Sequence, residues 1–466
     1  MKCVLIQAEL DVKYLSVPPP IGIAYLASYL QKNGIDVSII DAYGENLDFS
    51  AIEEKIKIEN PDFIGVSAVT PTINKAIAYC KATKRFNKNI KTILGGTHPS
   101  VFPGEILKEN KDVDFVVCGE GELTAHELLD AQLNGNGFDK IDGLAFRDDG
   151  NINITNRRDY IKDLDAMPFP AWDLIPYESY RMKIRKGTTL YMLGSRGCPF
   201  SCDYCAISSF WKAQRRRSPE NIMSEIEHFS GIYDIFTIVF FDPMFCLKRE
   251  WVISICKEIL QRGYDKYQYI ADGGIGFMDP EMLSWMKKAN FKSLQFGLEF
   301  GSQRVLNLAH KKIKVKDAIE SVKMTRAAGI NISLAIMMGY PGEKKEDVEE
   351  SINLARKLKP DHFGVTNVIP YPGTKLYNCC RENGLLRSDN WDDFSFTFWT
   401  QKRHLIKLEH LTDEDLIKFH KKAVRKIRYS LNYIAKTVFR YPEHFFHSIF
   451  FIFYEKLKKF LKFSKK

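Results

Sequence analysis

The 466 residues predict an α/β chain built from two parallel-sheet units, and three observations carry that reading. Five short apolar runs alternate with helical periods over residues 1–135, six further strand-then-helix repeats fill 188–400, and positive charge gathers in the last fifty or so residues. Strands alternating with helices form parallel sheets, because each crossover helix must bury its apolar face against the sheet. The first unit is therefore a flavodoxin-like doubly wound parallel sheet. The second is a partial (β/α)6 TIM-like barrel, and a basic helical C-terminal extension follows over 401–466.

Apolar residues make up 45% and charged residues 27%, which excludes a disordered or fibrous chain. Outside one cluster of three, the cysteines Cys3, Cys80, Cys118, Cys246, Cys256, Cys379 and Cys380 lack the spacing of a secreted disulfide framework, so a reducing cytoplasm is expected. The start Met1-Lys2-Cys3-Val4-Leu5-Ile6-Gln7 meets Glu9 and Asp11 too soon for a signal peptide. No run reaches the roughly eighteen apolar residues that span a bilayer. Residues 416–466 carry a net +12 and leave −3 for the rest, so the basic character belongs to the tail and nucleic acid is not an expected partner.

In the first unit, Val4-Leu5-Ile6, Val37-Ser38-Ile39-Ile40, Phe63-Ile64-Gly65-Val66-Ser67, Thr92-Ile93-Leu94 and Phe115-Val116-Val117 read as strands, with helices over 21–33, 51–58, 72–85, 104–110 and 122–133. Ligands of such sheets bind at the carboxyl ends of the strands. The loops there are Ser67-Ala68-Val69-Thr70-Pro71-Thr72, Gly95-Gly96-Thr97-His98-Pro99 and Gly119-Glu120-Gly121-Glu122. Glycine lets a flat ligand approach the backbone and hydroxyls donate without bulk, so Ser67, Thr70, Gly95, Gly96 and Gly119 are candidate cofactor contacts. His98, before a proline in a tight loop, and His126, on a helix, read as structural.

Asn134-Gly135-Asn136-Gly137 breaks the chain, and 136–187 reads as a linker. Residues 143–147 and 151–155 alternate around Asp148-Asp149-Gly150 as a hairpin. The prolines at 168 and 170 stiffen the path that follows, which positions the two units without chemistry.

The second unit has strand candidates at 189–194, 235–241, 267–271, 292–298, 331–338 and 363–369, and barrel chemistry belongs at their carboxyl ends. The first is followed by Gly197-Cys198-Pro199-Phe200-Ser201-Cys202-Asp203-Tyr204-Cys205. Thiolates at C-x3-C-x2-C spacing wrap one soft metal centre: an iron-sulfur cluster, zinc or copper. Three ligands where a closed site takes four point to a four-iron cluster with one iron unprotected, and the alternative is zinc completed by Cys246 or His228. At the other strand ends, Asp242 is an active-site acid or a cap that orders its loop, and Glu299 is a second acid. The turn words Gly339-Tyr340-Pro341-Gly342-Glu343 and Tyr371-Pro372-Gly373-Thr374 read as backbone geometry, with Glu343 capping a helix over 345–358.

The cysteine spacing, with aromatic Tyr204 before the last thiol, resembles the hallmark of the radical S-adenosylmethionine enzymes. Pro19-Pro20-Ile21-Gly22-Ile23-Ala24-Tyr25-Leu26-Ala27, Leu94-Gly95-Gly96-Thr97-His98-Pro99 and Val117-Cys118-Gly119-Glu120-Gly121-Glu122 resemble the cobalamin-binding domain fused ahead of them. Gly297-Leu298-Glu299-Phe300-Gly301-Ser302 and both proline turns resemble the same family, so the likeness runs from residue 1 to about 400. It implies a 4Fe-4S cluster on Cys198, Cys202 and Cys205, whose open iron chelates S-adenosylmethionine, with the backbone around Tyr204 against the adenine. It implies cobalamin in the first unit, bound base-off because the loop Glu9-Leu10-Asp11-Val12-Lys13-Tyr14-Leu15 has no histidine; a scaffold or substrate lid is the other use of that sheet. Glu299 would pair with the ammonium or ribose of S-adenosylmethionine, and Asp242 is the acid kept from a paired motif whose second place is Pro243. At Tyr269-Ile270-Ala271-Asp272-Gly273-Gly274 relatives carry an arginine that is missing here, and Arg304 is a candidate substitute.

By this resemblance the chain generates a 5′-deoxyadenosyl radical and, with cobalamin, methylates an unactivated carbon. The rivals are a cobalamin-dependent radical cyclase or rearrangement enzyme, and a non-catalytic cobalamin or metal sensor. A methylthiotransferase needs a second cluster, for which Cys3, Cys80 and Cys118 are expected too far apart. The partners are a small-molecule or lipid-like substrate and an external electron donor. In the tail, Thr412 and Asp415 open a helix, and basic residues beside 445–454 suit either packing on the barrel or contact of 416–466 with the inner face of a membrane.

Overall fold

The computed structural model describes residues 1–9, 17–180, 187–395 and 403–428. The loop through Leu15 and the tail beyond 428, with its expected membrane contact, lie outside the described residues.

The first unit runs β1 (Lys2–Gln7), α1 (Ile21–Lys32), β2 (Asp36–Asp41), α2 (Phe49–Glu59), β3 (Phe63–Ser67), α3 (Ile73–Phe86), β4 (Lys91–Gly95), α4 (Thr97–Val101), α5 (Pro103–Glu109), β5 (Phe115–Val117), α6 (Gly121–Asn134), β6 (Leu144–Asp148) and β7 (Asn151–Ile154). The sheet order is β2-β1-β3-β4-β5-β6-β7, parallel through β5, as a doubly wound fold requires. Alternate residues of each strand face opposite layers. Val4 and Ile6 join one core with α3 and α5, whereas Cys3 and Leu5 join another with α1 and α6.

The hairpin expected in the linker belongs to this sheet. Its strand β6 pairs antiparallel with β5 and buries Leu144, Ala145 and Phe146, which covers an edge that would otherwise expose unpaired backbone groups. The helix expected over 104–110 is α5, with Pro103 at its first helical position, where the missing N–H is not needed, and the short α4 precedes it.

The second unit runs β8 (Thr188–Met192), β9 (Ser195–Arg196), α7 (Ala206–Phe210), β10 (Arg215–Arg216), α8 (Pro219–Ser230), β11 (Ile235–Phe240), α9 (Arg249–Gln261), β12 (Gln268–Asp272), α10 (Pro280–Lys288), β13 (Phe291–Glu299), α11 (Gln303–Leu308), α12 (Val315–Ala327), β14 (Asn331–Met338), α13 (Lys345–Leu358), β15 (His362–Asn367), α14 (Lys375–Glu382) and α15 (Asp413–Ile427). Six parallel strands in the order β8-β11-β12-β13-β14-β15 form one open sheet, the partial barrel expected. Ile21, Ala24 and Tyr25 of α1 share the barrel's core, so the two units pack through α1.

The start of the extension packs on the barrel. Thr412 accepts from the Asp415 N–H as predicted, Leu416, Ala423 and Ile427 enter the barrel core, and Lys422 pairs with Glu349.

Glu343 closes a turn and does not cap a helix. Its carboxylate accepts the N–H groups of Gly339 at 2.6 Å and Tyr340 at 3.2 Å, while Asp347 accepts the Lys344 N–H where α13 starts. Burial lifts Glu343 to about 8, against those two backbone donors. A carboxyl with a raised folded pKa binds a proton more tightly folded than unfolded, so stability falls as pH rises from the ordinary carboxylate range to about 8. Replacing Glu343 with glutamine is expected to flatten that dependence, whose slope is at most about 1.4 kcal/mol per pH unit. Denaturant melts of the two proteins across that pH range measure it.

Candidate active site between the two sheets

The cysteine loop leaves β9 through Gly197, whose φ of +92° and approach to Ala213 admit no side chain: a Cβ would lie 2.2 Å from the Ala213 carbonyl oxygen. Backbone bonds pin the loop at several points: Cys198 N–H to the Trp211 carbonyl at 3.0 Å, Asp203 N–H to that of Ala309 at 3.2 Å, and Leu376 N–H to that of Asp203 at 2.9 Å. Cys198, Cys202 and Cys205 then line one cavity of about 260 Å³ with Tyr204, Glu299, Lys311 and Asp272. Burial pushes the Cys202 thiol up to about 11, and Lys311 draws it back down.

Glu299 stands in this cavity as expected. It ends β13 after a register shift and holds a φ of +61°, a strained place for a side chain of its kind. Lys311 pairs with it at 3.0 Å, and Lys312 lines the same cavity. Arg304, the candidate substitute for the missing arginine, instead pairs with Asp347 and donates to the Gly342 carbonyl.

Asp242 does not line the cavity. Fully buried, it accepts the Gly194 N–H at 3.0 Å and the Ser195 hydroxyl, so it orders the turn before the cysteine loop. Burial lifts it to about 6, against those bonds. The acid that does face the cavity is Asp272, at the end of β12, which burial lifts to about 7 and which has no hydrogen-bond or ion-pair partner among the described residues. Nothing in the sequence sets Asp272 apart beyond its place at a strand end.

A second cavity, of about 590 Å³, lies between the units. Ser67, Gly95, Gly96 and Gly119 line it from the first sheet, and Leu193, Arg196, Trp211 and Phe241 from the barrel. Thr70 does not. It bonds His98 at 3.3 Å, and that ring, held neutral by burial at about 4, packs against Phe102 and Trp391 outside this cavity. Glu120 and Glu122 clamp the units together: Arg215 forks Glu120 at 2.7 and 2.8 Å, and Arg196 meets Glu122 at 2.8 Å. The two cavities share Ile207 and Pro243 as walls.

Comparison with known proteins agrees with this division. Residues 10–129 match the B12 binding domain and residues 192–355 the radical SAM superfamily. An uncharacterized methyltransferase of Pyrococcus horikoshii is 33% identical over 425 residues, covering 91% of this chain and 90% of the relative. The chain belongs to the cobalamin-dependent radical S-adenosylmethionine enzymes. The anaerobic magnesium-protoporphyrin IX monomethyl ester cyclase of Rubrivivax gelatinosus is 29% identical, over 77% of this chain and 66% of its own length. The fold is shared with the radical S-adenosylmethionine methyltransferase TsrM of Kitasatospora setae, solved with cobalamin and a 4Fe-4S cluster bound: TM-score 0.69, 16% identity, 83% of this chain and 79% of that one.

The residues of this radical S-adenosylmethionine enzyme fit its cofactors. Three thiols around an open cavity suit a cubane. The fourth ligands expected for the zinc alternative stand elsewhere. Cys246 is fully buried outside the cavity, and His228 packs against Phe169. Cys3 and Cys80 lie in cores on opposite faces of the first sheet, so they do not build a second cluster with Cys118.

For the corrin, Gly22 and Gly119 leave open space where a Cβ would stand, and an apolar slot runs along the sheet past Leu5, Gly65, Ile93, Leu30 and Leu129. Replacing Gly22 with leucine is expected to fill that space. The helix gains up to about 1 kcal/mol from losing a glycine, yet corrin retention falls while the iron content holds. Corrin and iron per chain after reconstitution check it.

Proposed function

We propose that this enzyme methylates an unactivated carbon of an apolar, small or lipid-like molecule held where the two cavities meet. The observation that carries the reading is the wall they share, Ile207 and Pro243, which leaves one substrate within reach of both chambers. When bound, the cluster and S-adenosylmethionine supply radical initiation, and the corrin supplies a transferable methyl group. The protein's part is position and dryness. The thiols of Cys198, Cys202 and Cys205 hold the cluster, the Glu299–Lys311 pair faces polar groups of S-adenosylmethionine, and Phe200, Met244 and Phe277 exclude water. An external donor provides the electron. Among the described residues no helix is long and apolar enough to cross a membrane.

The test is anaerobic reconstitution with iron, sulfide and cobalamin, followed by reduction in the presence of S-adenosylmethionine labelled in its methyl group. Methionine and 5′-deoxyadenosine should form, and label should pass to the corrin and to products of an extract rich in apolar metabolites. Cleavage without label transfer would favour the ring-forming chemistry named for the Rubrivivax relative, and no cleavage at all would favour a sensor.

A further inference from the structure

If the cluster proposed above forms, its electron must come from outside, and one face of the cysteine loop is open to solvent at Pro199 and Ser201. Asp203, in the same loop, touches His310 at 2.6 Å and Lys375 at 3.7 Å, whose side chains are 63% and 71% exposed. From His310 the chain reads Lys311-Lys312-Ile313-Lys314-Val315-Lys316. Ile313 and Val315 pack inward, which turns Lys312, Lys314 and Lys316 to solvent. Among the described residues none of these three lysines has a hydrogen-bond or ion-pair partner for its side chain.

Their placement opposes local stability. Lys314 caps the N-terminus of α12, Lys316 lies in its first turn, and Lys375 is the first residue of α14. Helix N-termini favour anions, because their free N–H groups and the aligned peptide dipoles carry positive charge. A run of lysines is ordinarily a solvated face. This one gathers cations at two helix starts, where α14 has no acid in its first turn and α12 has Asp317 alone, and it borders the cysteine loop.

We propose that His310, Lys312, Lys314, Lys316 and Lys375 form the docking face for an acidic, low-potential one-electron carrier protein. The carrier is oxidised by one electron and the cluster reduced by one, and no bond forms or breaks in this chain. Opposite charge on the two faces steers the encounter and orients the carrier toward the loop.

The experiment compares the reconstituted full-length protein with a variant carrying Lys314→Glu, Lys316→Glu and Lys375→Glu. Each change puts an acid at a helix N-terminus, so the fold is expected to hold. Cluster reduction is followed by stopped flow with a photoreduced acidic flavodoxin and, separately, with photoreduced 5-deazaflavin. At low salt the variant should be reduced by the flavodoxin at least about tenfold more slowly, and the native rate should fall with ionic strength toward that of the variant. Reduction by deazaflavin should match in the two proteins. Equal rates with the flavodoxin would overturn the docking face, and so would equal slowing with both reductants, which would place the effect in the cluster's own surroundings. Absence of a cluster in the native protein would instead defeat the function proposed above.

Discussion

Alanine in place of Cys198, Cys202 or Cys205 is expected to give a folded protein that assembles no four-iron cluster and cleaves no S-adenosylmethionine. Each thiolate holds one iron, and two remaining ligands do not retain a cubane. The fold should survive because the loop is held by backbone, not by sulfur. The Cys198 N–H reaches Trp211, the Asp203 N–H reaches Ala309, and Gly197 keeps its positive φ whatever follows it. Iron and acid-labile sulfide per chain, with circular dichroism as the control for folding, decide the matter. A variant that keeps the iron content and cleavage rate of the native chain would remove the basis for the function.

Glutamine at Glu120 is expected to loosen the junction of the two units and empty the larger cavity. The carboxylate is 5% exposed and faces two guanidiniums, Arg215 in a fork and Arg196 at 3.6 Å. Burial pushes its pKa up, but the two arginines outweigh this and hold it below the usual carboxylate range. A folded pKa that is depressed contributes stability above the ordinary carboxylate range, and that stability is lost on acidification. Removing one member of a buried pair strands the other charge, at about 3–5 kcal/mol. Because Glu120, Glu122 and Arg196 also line the cavity, corrin retention should fall along with the melting temperature. Pairing Glu120→Gln with Arg215→Met should recover part of the loss, because no uncompensated charge then remains. Recovery of nothing would mean that the pair does not couple the units.

The elements that short-range pattern controls agree closely with the structure. Strands expected at 235–241 and 331–338 are Ile235–Phe240 and Asn331–Met338, and the Thr412–Asp415 capping box forms as written. Departures occur where a distant partner decides. The hairpin after 143 alternates like any hairpin, and only the bare edge of β5 makes it part of the first sheet. Asp242 and Asp272 both end barrel strands. One turns back to Ser195 and the other faces the cavity, and no local signal separates them. The Glu120–Arg215 fork joins residues 95 apart in the chain, so spacing does not reveal it.

The sequence alone determined the two parallel sheets, the order of their strands along the chain and the three-thiol loop. Period, turn residues and ligand spacing act over a few residues, and those features are written at that range. Tertiary structure alone decided which acids face the cavity, where Thr70 and His98 point, and that the two chambers share a wall. These depend on which surfaces are pressed together when the sheets pack, a choice that minimises buried unpaired charge and unfilled space across the whole chain at once.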